Sequence, residues 1–501
     1  MTAPAPKALR PLDSALRMDR PSALIYGSRT LEASHRLLAE GYRPAVILQV
    51  DAEVPRALVP EGTRVWDWDA VHTEQDQAAI GAQVQQLMTT WYRLGGEDVS
   101  VWNGYSLGAC YTGPRFANRV TPVLINLLVF QRVCEAFGVR HFVLGYGTGA
   151  EPGTWQRAAS RNGMACERLE FDAELRQTAS AAPAPRVSRR RWLGIHLASC
   201  VQSAVGALRR HRQRGRPTVL IASDSLLHRM PWIARDLRAS RAVEVVEARH
   251  VLPRFQRTRI LRAAAASAAP ALADRWDALA AQHGMSSLFT WGGVSWWPLV
   301  ASWMQREFCE RLPQAAGVTA HAEAVLRRTR PACILTEAQV GNEEACWAAA
   351  ARRCGIPVVA QQNEIWIPEH PPHAYYPAPV ADYVLTGSPL ARSWFLRKGY
   401  EPAQVIPVED PRIRGAREAR RVRSGKGLAP RRPRVLFAAG RTEPLEFSVS
   451  GMHNRRVLRA VLGAARAHSD LDFFVKLHPR MDLADGPGAA EDYLRVIAEA
   501  D

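Results

Sequence analysis

Short apolar segments alternate with stretches of helical periodicity along most of the chain. The first apolar segments are SALIYG (22–27), AVILQV (45–50) and HFVLGYG (141–147), and much of the chain between them shows the spacing of amphipathic helices. Alternation of this kind is typical of parallel sheets, because parallel strands need a crossover of about a dozen residues or more. The pattern therefore predicts an α/β fold.

The same alternation recurs in two further parts of the chain. The predicted strands there are TVLIASDS (218–225), AVEVVEA (242–248), ACILTEA (332–338), GIPVVAQQN (355–363), RVLFAAGR (434–441) and DLDFFVKLHPR (470–480). Predicted helices cover 74–94, 120–137, 227–239, 342–354 and 452–467, and VSVW (99–102) is a further predicted strand. We expect tandem Rossmann-like parallel-sheet domains.

Two stretches of unusual composition mark the expected domain boundaries. TASAAPAPRVS (178–188) is of low complexity, and 411–433 is rich in Arg, Pro and Gly. The expected organisation is an amino-terminal Rossmann-like domain (1–180), a linker or amphipathic helix (181–216), a second α/β domain (217–410), a basic inter-domain linker (411–433) and the start of a third α/β domain (434–501). Because this last part holds only two predicted strands, we expect its domain to be truncated.

The basic charge of the chain does not indicate a nucleic-acid partner. There are 65 Lys and Arg against 48 Asp and Glu, a formal net charge of +17, but the arginines are scattered and lysine is confined to Lys7, Lys398, Lys426 and Lys476. The Arg-rich runs around 192–208 and within 412–434 fit solvated faces or linkers, with anionic lipid or a phosphorylated substrate as the alternative contact. No nucleic-acid-binding motif accompanies them.

Composition also bears on the compartment. No uncharged apolar run reaches the about 18–20 residues that span a bilayer, and residues 1–22 lack the apolar block of a secretory signal. We therefore expect a cytoplasmic protein. The uncharged segment WLGIHLASCVQSAVGAL (192–208) predicts a linker or packing helix, and the alternative is a peripheral helix on the inner membrane.

The eight cysteines predict neither disulfides nor a metal site. They form no CxxC pair and show no metal-ligand spacing, so we expect reduced core residues. The sequence likewise calls for no cofactor.

The most specific candidate site is the segment FVKLHPR near the carboxyl end. It places Lys476, His478 and Arg480 where a strand ends, which is where open parallel sheets bind ligands. Pro479 stops the strand and restricts the backbone, so the cationic groups are able to converge on a phosphate. The alternative is a capping histidine beside a solvated arginine.

The last third of the chain resembles the GT-B glycosyltransferases and polyol-phosphate transferases that build bacterial surface polymers. The group includes CDP-glycerol glycerophosphotransferases, polysialyltransferase-like enzymes and capsule Kdo transferases. The matching segments are TEAQVGNEEACWAAAARRCGIPVVAQQN, VLTGSPLARSWFLRKGY with QVIPVEDPR, and FVKLHPR. The resemblance implies GT-B-like architecture and a cytidine-nucleotide donor, and it gives His478, Lys476 and Arg480 the role of contacting the donor phosphate. Where these families often have Gln-His-Gly, this chain has Gln361, Gln362 and Asn363.

An inverting transfer also needs a base for the acceptor hydroxyl. Three carboxylates at predicted strand ends are candidates, and we favour Glu364, then Glu337, over Asp224. Each also fits a helix cap or a salt bridge, and the run Asn342-Glu343-Glu344 fits capping of the helix 342–354.

Several other segments are weaker candidates. The loop WIPEHPPHAYYP offers His370, His373 and Tyr375 as acceptor contacts, and an ordinary ordered loop is the alternative. Glycines at 145, 147 and 149 follow a predicted strand but lack nucleotide-turn spacing. In WDWD (66–69), strand alternation places Asp67 and Asp69 on one face of an edge strand.

These observations favour a glycosyltransferase, or a polyol-phosphate transferase, that uses a CMP- or CDP-linked donor. Its acceptor would be a glycan or glycolipid of a cell-surface polysaccharide, and no metal is required because the basic cluster neutralises the phosphate. Two alternatives remain open. One is an epimerase-like enzyme of UDP-sugars, and the other is a non-catalytic subunit of a polysaccharide assembly machine.

Overall fold

The structure is a computed structural model of the chain. It describes residues 20–27, 30–50, 52–111, 114–145, 150–169, 200–201, 204, 215–223, 226–227, 231–281, 283–337, 342–362, 380–409, 413, 417–422, 432–438, 451–476, 494 and 496–498.

The strands and helices are numbered in chain order. The strands are β1 Ser22–Tyr26, β2 Val46–Gln49, β3 Arg64–Asp67, β4 Arg93–Leu94, β5 Glu97–Asp98, β6 Val101–Trp102, β7 Tyr105–Ser106, β8 His141–Gly145, β9 Ala165–Arg168, β10 Thr218–Ile221, β11 Glu244–Glu247, β12 Thr290–Trp291, β13 Val294–Ser295, β14 Cys333–Glu337, β15 Val358–Gln361, β16 Tyr383–Thr386, β17 Val405–Pro407, β18 Arg434–Ala438 and β19 Asp472–Lys476. The α-helices are α1 Leu31–Ala39, α2 Trp68–Val71, α3 Glu74–Thr90, α4 Leu107–Tyr111, α5 Pro114–Phe137, α6 Ala150–Arg161, α7 Pro231–Ser240, α8 Arg254–Ala280, α9 His283–Leu288, α10 Trp297–Arg306, α11 Leu312–Thr329, α12 Asn342–Arg353, α13 Pro389–Arg397 and α14 Gly451–Ala467.

The first sheet is parallel and has the strand order β3-β2-β1-β8-β9. Every residue of its central strands β1 and β8 is buried, as expected of a parallel sheet covered by helices on both faces. The strand order reverses between β1 and β8. There the Thr30 hydroxyl donates a hydrogen bond to the Gly145 carbonyl oxygen, which ties the start of α1 to the end of β8.

The second sheet is also parallel, with the order β11-β10-β14-β15-β16-β17. Its order reverses between β10 and β14, which are paired from Val219↔Cys333 to Ile221↔Leu335. A third unit pairs β18 with β19 in parallel, joined through α14. The predicted fold class, α/β with tandem Rossmann-like parallel sheets, is therefore confirmed.

A layer of helices from α8 to α11 joins the first sheet to the second. Its side chains share one apolar core with the first sheet, α3 and α5. Aromatic rings make much of this contact: the Trp91 ring lies 5.9 Å from that of Phe308, and the Phe116 ring lies 5.6 Å from that of Trp303. Phe308 belongs to a π-helical segment, Glu307–Arg311, between α10 and α11. The tryptophan-rich run 291–304 is thus a packing surface between two parts of the fold.

Two short hairpins with nearly the same sequence reinforce this junction. One is Trp-Asn-Gly-Tyr-Ser (102–106), formed by β6 and β7, and the other is Trp-Gly-Gly-Val-Ser (291–295), formed by β12 and β13. Both turn residues of each hairpin have positive φ, the requirement of a tight type I′ turn. The prediction that 99–102 is a strand of the sheet was wrong. Val101 and Trp102 pair with Ser106 and Tyr105 inside this local hairpin.

Each hairpin is anchored to a helix distant in the sequence. Gln131 of α5 donates to the Gly292 carbonyl oxygen at 3.2 Å, and Arg353 of α12 donates to the Asn103 carbonyl oxygen. A Cβ on Gly292 would overlap the Gln131 amide, which would have to move, and the positive φ of 52° at this position itself favours glycine. The hairpins therefore attach the first unit, which consists of the first sheet with its helices α1 to α6, to the helical layer and to the second sheet.

The interpretation of WDWD is corrected in part. β3 is an edge strand, as predicted, but it ends at Asp67, and Trp68 and Asp69 begin the short helix α2. Asp67 and Asp69 therefore do not share a strand face. Trp68 is 2% exposed and packs in the core, and burying this large ring favours the turn into a helix over continuing an exposed strand.

One helix in the described part of the chain is long and apolar enough to cross a membrane by length and composition alone. It is Arg119–Phe137 of α5, and most of that segment is buried inside the protein. Trp155 of α6 donates to the Asn126 side-chain oxygen on this helix, and Asn126 donates to the Pro122 carbonyl oxygen. Core packing therefore accounts for its apolar character.

We expect Gly145→Ala to destabilise the protein by about 1–3 kcal/mol, the usual range for an overpacked core. An added Cβ would lie 2.7 Å from the Ile25 carbonyl oxygen and 2.8 Å from the Thr30 hydroxyl oxygen. Chemical denaturation measures the change. Gly153→Ala in α6 is the control: its Cβ would meet only Leu299 at 3.5 Å, and a helical alanine is intrinsically favoured. Equal stabilities of the two variants would contradict the close approach.

Candidate functional site

Carboxylates and a serine gather where the strand order of the second sheet reverses. Ser223 follows β10, Glu337 ends β14, and Glu344 lies in the first turn of α12, which follows β14. The Ser223 hydroxyl donates to the Glu344 carboxylate at 3.0 Å and also accepts a hydrogen bond from the Leu226 backbone N–H. Open α/β sheets bind ligands at this position, outside the carboxyl ends of the strands.

The local fold explains why these side chains meet. β10 and β14 are adjacent and parallel, so the segments that leave their carboxyl ends begin on the same edge. Glu337 is 2% exposed and Ser223 is 3% exposed, whereas Glu344 is half-buried. A buried carboxylate is costly unless the site uses or compensates its charge, so their position at this edge is informative.

The surroundings of Glu344 disfavour its ionised form. Burial raises the pKa of Glu344, the neighbouring carboxylates of Glu343 and Glu337 raise it further, and the Ser223 hydrogen bond opposes the shift. Two carboxylates in one site resist being ionised together. A raised pKa lets Glu344 keep its proton to higher pH than an ordinary carboxyl, which suits proton transfer to or from a bound hydroxyl.

The same edge of the sheet continues with buried polar residues on the next two strands. Gln362 follows β15 and Thr386 ends β16, and the Thr386 hydroxyl donates to the Gln362 side-chain oxygen at 2.5 Å. The Gln362 backbone N–H donates to the Leu385 carbonyl oxygen. Gln362, which stands where the resembling families often have histidine, therefore makes a structural hydrogen bond with the neighbouring strand.

Arginines of the third unit bind the carboxyl edge of the first sheet. Arg456 of α14 forms two hydrogen bonds with Asp67 at the end of β3, at 2.7 and 3.1 Å, and a third with Glu53 at 3.1 Å. Arg459 lies 2.7 Å from the other oxygen of Glu53. Burial opposes the ionisation of Glu53, but the two guanidinium groups outweigh it and lower the pKa of that carboxyl.

This contact orients the third unit. Arg456 lies in the first half of α14, and α14 follows β18 and leads to β19. Lys476, the last residue of β19, is paired in register with Ala438 at the end of β18, and it is exposed. The predicted phosphate-binding lysine therefore stands at the carboxyl end of a parallel strand pair, as the sequence indicated.

Most of the other predicted site residues lie outside the described part of the chain. They are Glu364, His370, His373, Tyr375, His478 and Arg480, together with Asp224, Gly147 and Gly149. Their roles stay predictions. Glu337 and Lys476 are the predicted site residues that the structure describes.

Sequence reasoning missed two features of these edges. Glu344 was interpreted as a capping residue, and its position in the first turn of α12 fits that role, but its carboxylate also binds Ser223, 121 positions away. Asp67 was interpreted as part of a plain edge strand, yet it binds Arg456, 389 positions away. No spacing rule detects pairs at such separations. Only the parallel topology, which aligns strand ends, offered a signal.

The thiols and acidic groups give no sign of a metal centre in the described ranges. All eight cysteines are free, with Cys110 and Cys346 buried and the others partly buried. No group of three or more His, Cys, Asp or Glu side chains is placed to hold a metal ion among the described residues.

Comparisons with known proteins give only distant similarities. No protein-family model matches the sequence, and no curated protein matches it. The UDP-N-acetylglucosamine 2-epimerase from Rickettsia bellii is similar with a TM-score of 0.27 and 13% identity, over 55% of this chain and 65% of that one. The Methanocaldococcus jannaschii UDP-GlcNAc 2-epimerase, in complex with UDP-GlcNAc and UDP, is similar with a TM-score of 0.24 and 16% identity, over 37% of this chain and 51% of that one. The chain thus spans less than two thirds of either, and similarities this slight carry no functional argument.

Replacing Glu344 by Gln should make the stability difference from the wild type depend on pH. A raised pKa means that the wild type pays a cost for a charged Glu344 at pH 7, which the neutral amide avoids. The variant should be the more stable protein at pH 7. It should lose that advantage as the pH falls through the raised pKa towards the ordinary value of 4.5.

Denaturation midpoints between pH 4 and pH 8 measure this effect. Glu343→Gln, in the same helical turn but exposed, is the matched control, and its difference from the wild type should vary less with pH. A Glu344→Gln difference that is constant over this range would show that the Glu344 carboxyl is not perturbed by its surroundings.

The contact between Arg456 and Asp67 should couple the third unit to the first. In a double-mutant cycle of Asp67→Asn and Arg456→Gln, we expect a coupling of about 0.5–1 kcal/mol, because the groups are partly exposed but paired through two hydrogen bonds. For each variant, hydrogen exchange at the backbone amides of β19 measures the free energy of opening of the third unit. The exposed pair Arg417 and Glu409 should give a smaller coupling, and equal values would refute the docking role.

Proposed function

We propose that the protein is a glycosyltransferase that moves a sugar, or a polyol phosphate, from a cytidine-activated donor to a surface glycan. The observation that supports this best is the pair of carboxylates, Glu337 and Glu344, at the reversal point of the second sheet, where Ser223 donates a hydrogen bond to Glu344. The pair gives the reaction a base at the edge where such sheets bind ligands.

In this proposal Glu337 takes the proton of the acceptor hydroxyl. With a sugar donor, the acceptor oxygen then bonds to the anomeric carbon while the bond from that carbon to the donor phosphate oxygen breaks. With a polyol-phosphate donor, the acceptor oxygen instead bonds to the phosphorus that carries the polyol while the bond from that phosphorus to the oxygen of the departing CMP breaks. The nucleotide leaves with the electron pair of that bond. Glu344 keeps its own proton more readily because its pKa is raised, chiefly by burial.

Lys476 is proposed to hold the donor phosphate and to stabilise the charge that builds on it. Its ammonium group stands at the carboxyl end of β19, and the sequence resemblance adds His478 and Arg480 to the same cluster. Cationic groups placed at the leaving phosphate stabilise the transition state more than the ground state, because the charge there grows as the bond breaks.

The base is tested by Glu337→Gln in the full chain, assayed for release of CMP or CDP from an activated donor with a glycan acceptor. Loss of a general base should lower turnover by about 10²- to 10⁴-fold. Binding of CMP or CDP, measured as a rise in melting temperature, should persist because Glu337 does not hold the phosphate.

Glu244→Gln is the matched control, since Glu244 is a buried carboxylate at the amino end of a strand of the same sheet. It should keep its turnover. Lys476→Gln should instead reduce the rise in melting temperature caused by CMP or CDP. Normal turnover in Glu337→Gln would refute the role of Glu337 as the base. A melting temperature that rises with UDP alone would favour an epimerase-like enzyme. A melting temperature that rises with no nucleotide would favour a non-catalytic subunit.

A further inference from the structure

A groove lies at the amino edge of the second sheet, opposite the carboxylate pair. It consists of two adjoining cavities of ≈ 500 and ≈ 570 Å³ that share Glu323 and Arg327. The helices α11 and α12 end here, immediately before β14 and β15 begin. The lining residues that matter for charge and stacking are Trp102, Glu323, Arg327, Arg328, Arg330 and Arg353.

The wall of the groove that belongs to the first unit is held in place by Arg353. Its guanidinium donates to the Asn103 carbonyl oxygen and lies 4.8 Å from the centre of the Tyr105 ring. A Cβ on Gly104 would lie 3.0 Å from the same guanidinium, so the hairpin approaches the arginine closely. Trp102, half-buried beside Asn103, is thereby fixed as an aromatic wall.

The groove carries an excess of positive charge. Glu323 is its only carboxylate among the described lining residues, and Arg327 binds it in an ion pair. Arg328 and Arg330 are exposed, and no ion pair to either occurs among the described residues. Arg353 donates to a neutral carbonyl oxygen rather than to a carboxylate.

Helix ends alone do not explain this arrangement. Basic residues are favoured in the last turn of a helix, which accounts for Arg327 and Arg328 at the end of α11. It does not account for guanidinium groups from two helices and a loop lining a preformed space next to a tryptophan of another unit. Arginine and an aromatic face together suit a ligand that has both anionic groups and sugar rings.

We propose that this groove binds an acidic saccharide chain, with its anionic groups on Arg328, Arg330 and Arg353 and a sugar ring against Trp102. The choice of a saccharide over other polyanions rests on the proposed glycosyltransferase function, whereas the anion site rests on the groove itself. The groove would hold the body of an acceptor chain whose growing end reaches the opposite edge of the sheet.

The test measures binding of dextran sulfate to the full chain by calorimetry, with uncharged dextran of the same length and with inorganic polyphosphate, near physiological salt. The double variant Arg328→Gln/Arg330→Gln should bind dextran sulfate about tenfold more weakly, the scale of losing one or two charge-assisted contacts. Arg161→Gln is the matched control, because Arg161 is also an exposed arginine in the last turn of a helix, and it should leave binding unchanged.

Trp102→Ala separates a saccharide from other anions. It should weaken binding of dextran sulfate severalfold and leave polyphosphate binding unchanged, and an unchanged melting temperature would show that it folds. Equal effects of the arginine double variant and the control would refute anion binding in the groove. Polyphosphate or a single-stranded oligonucleotide that binds as tightly as dextran sulfate would refute the proposal that the ligand is a saccharide.

Failure of this proposal is distinct from failure of the proposed function. The melting-temperature response to CMP and CDP reports on the donor site alone. If the protein binds dextran sulfate through Arg328 and Arg330 but responds to no nucleotide, the proposed groove stands and the proposed transferase function is refuted. If it responds to CMP or CDP but does not bind dextran sulfate through these arginines, the transferase function stands and the groove is refuted.

Discussion

The aromatic contact between the first sheet unit and the helical layer is the interaction on which the other features depend. Trp91, Phe116, Trp276 and Phe308 pack ring against ring in the core that these parts share, with the Trp276 and Phe308 ring centres 5.6 Å apart. Burial of such large rings is among the strongest contributions that a single side chain makes to a fold. Because α11 packs both on this core and on α12 of the second sheet, the contact fixes one sheet relative to the other. The hairpins at 102–106 and 291–295 add polar anchors to an association that is mainly apolar.

With the two sheets fixed relative to each other, charged side chains of opposite sign lie at opposite edges of the second sheet. The carboxyl edge of the second sheet carries the carboxylates of Glu337 and Glu344, and its amino edge faces the arginines of the groove. At the carboxyl edge of the first sheet, Glu53 is already paired with arginines of the third unit. Carboxylates at that edge therefore serve docking, whereas those of the second sheet are the groups proposed to transfer a proton. The same residue type has two uses because its partners differ, one set being cationic and the other a hydroxyl and a second carboxylate.

The strands of the two large sheets could largely be predicted from the sequence because each is a short apolar run bounded by helical periodicity. The runs at 22–26, 141–145 and 333–337 are uniformly or almost uniformly buried, which is the pattern that central parallel strands impose. The prediction failed where a tertiary contact overrode local alternation. Trp68 leaves the strand pattern to bury its ring, and 101–102 pairs within a hairpin instead of joining the sheet. The candidate site was predictable only in part. The end of β14 marked Glu337, whereas the contact between Ser223 and Glu344 depends on a loop after β10 and a helix after β14 that the parallel pairing brings together.

Separating the groove from the carboxylate pair has a kinetic consequence. Contacts made equally to the substrate and to the transition state lower KM without raising kcat. Arg328 and Arg330 lie at the amino edge of the sheet, far along the strands from the bond that would be formed, so their contacts with an acceptor chain would be of this uniform kind. Their value would lie in effective concentration, because a chain held at one edge presents its end to the other without a new encounter. Glu337, by contrast, would act on the proton that moves in the proposed reaction itself. Under the two proposals, one sheet would hold a long acidic chain at its amino edge and extend that chain at its carboxyl edge.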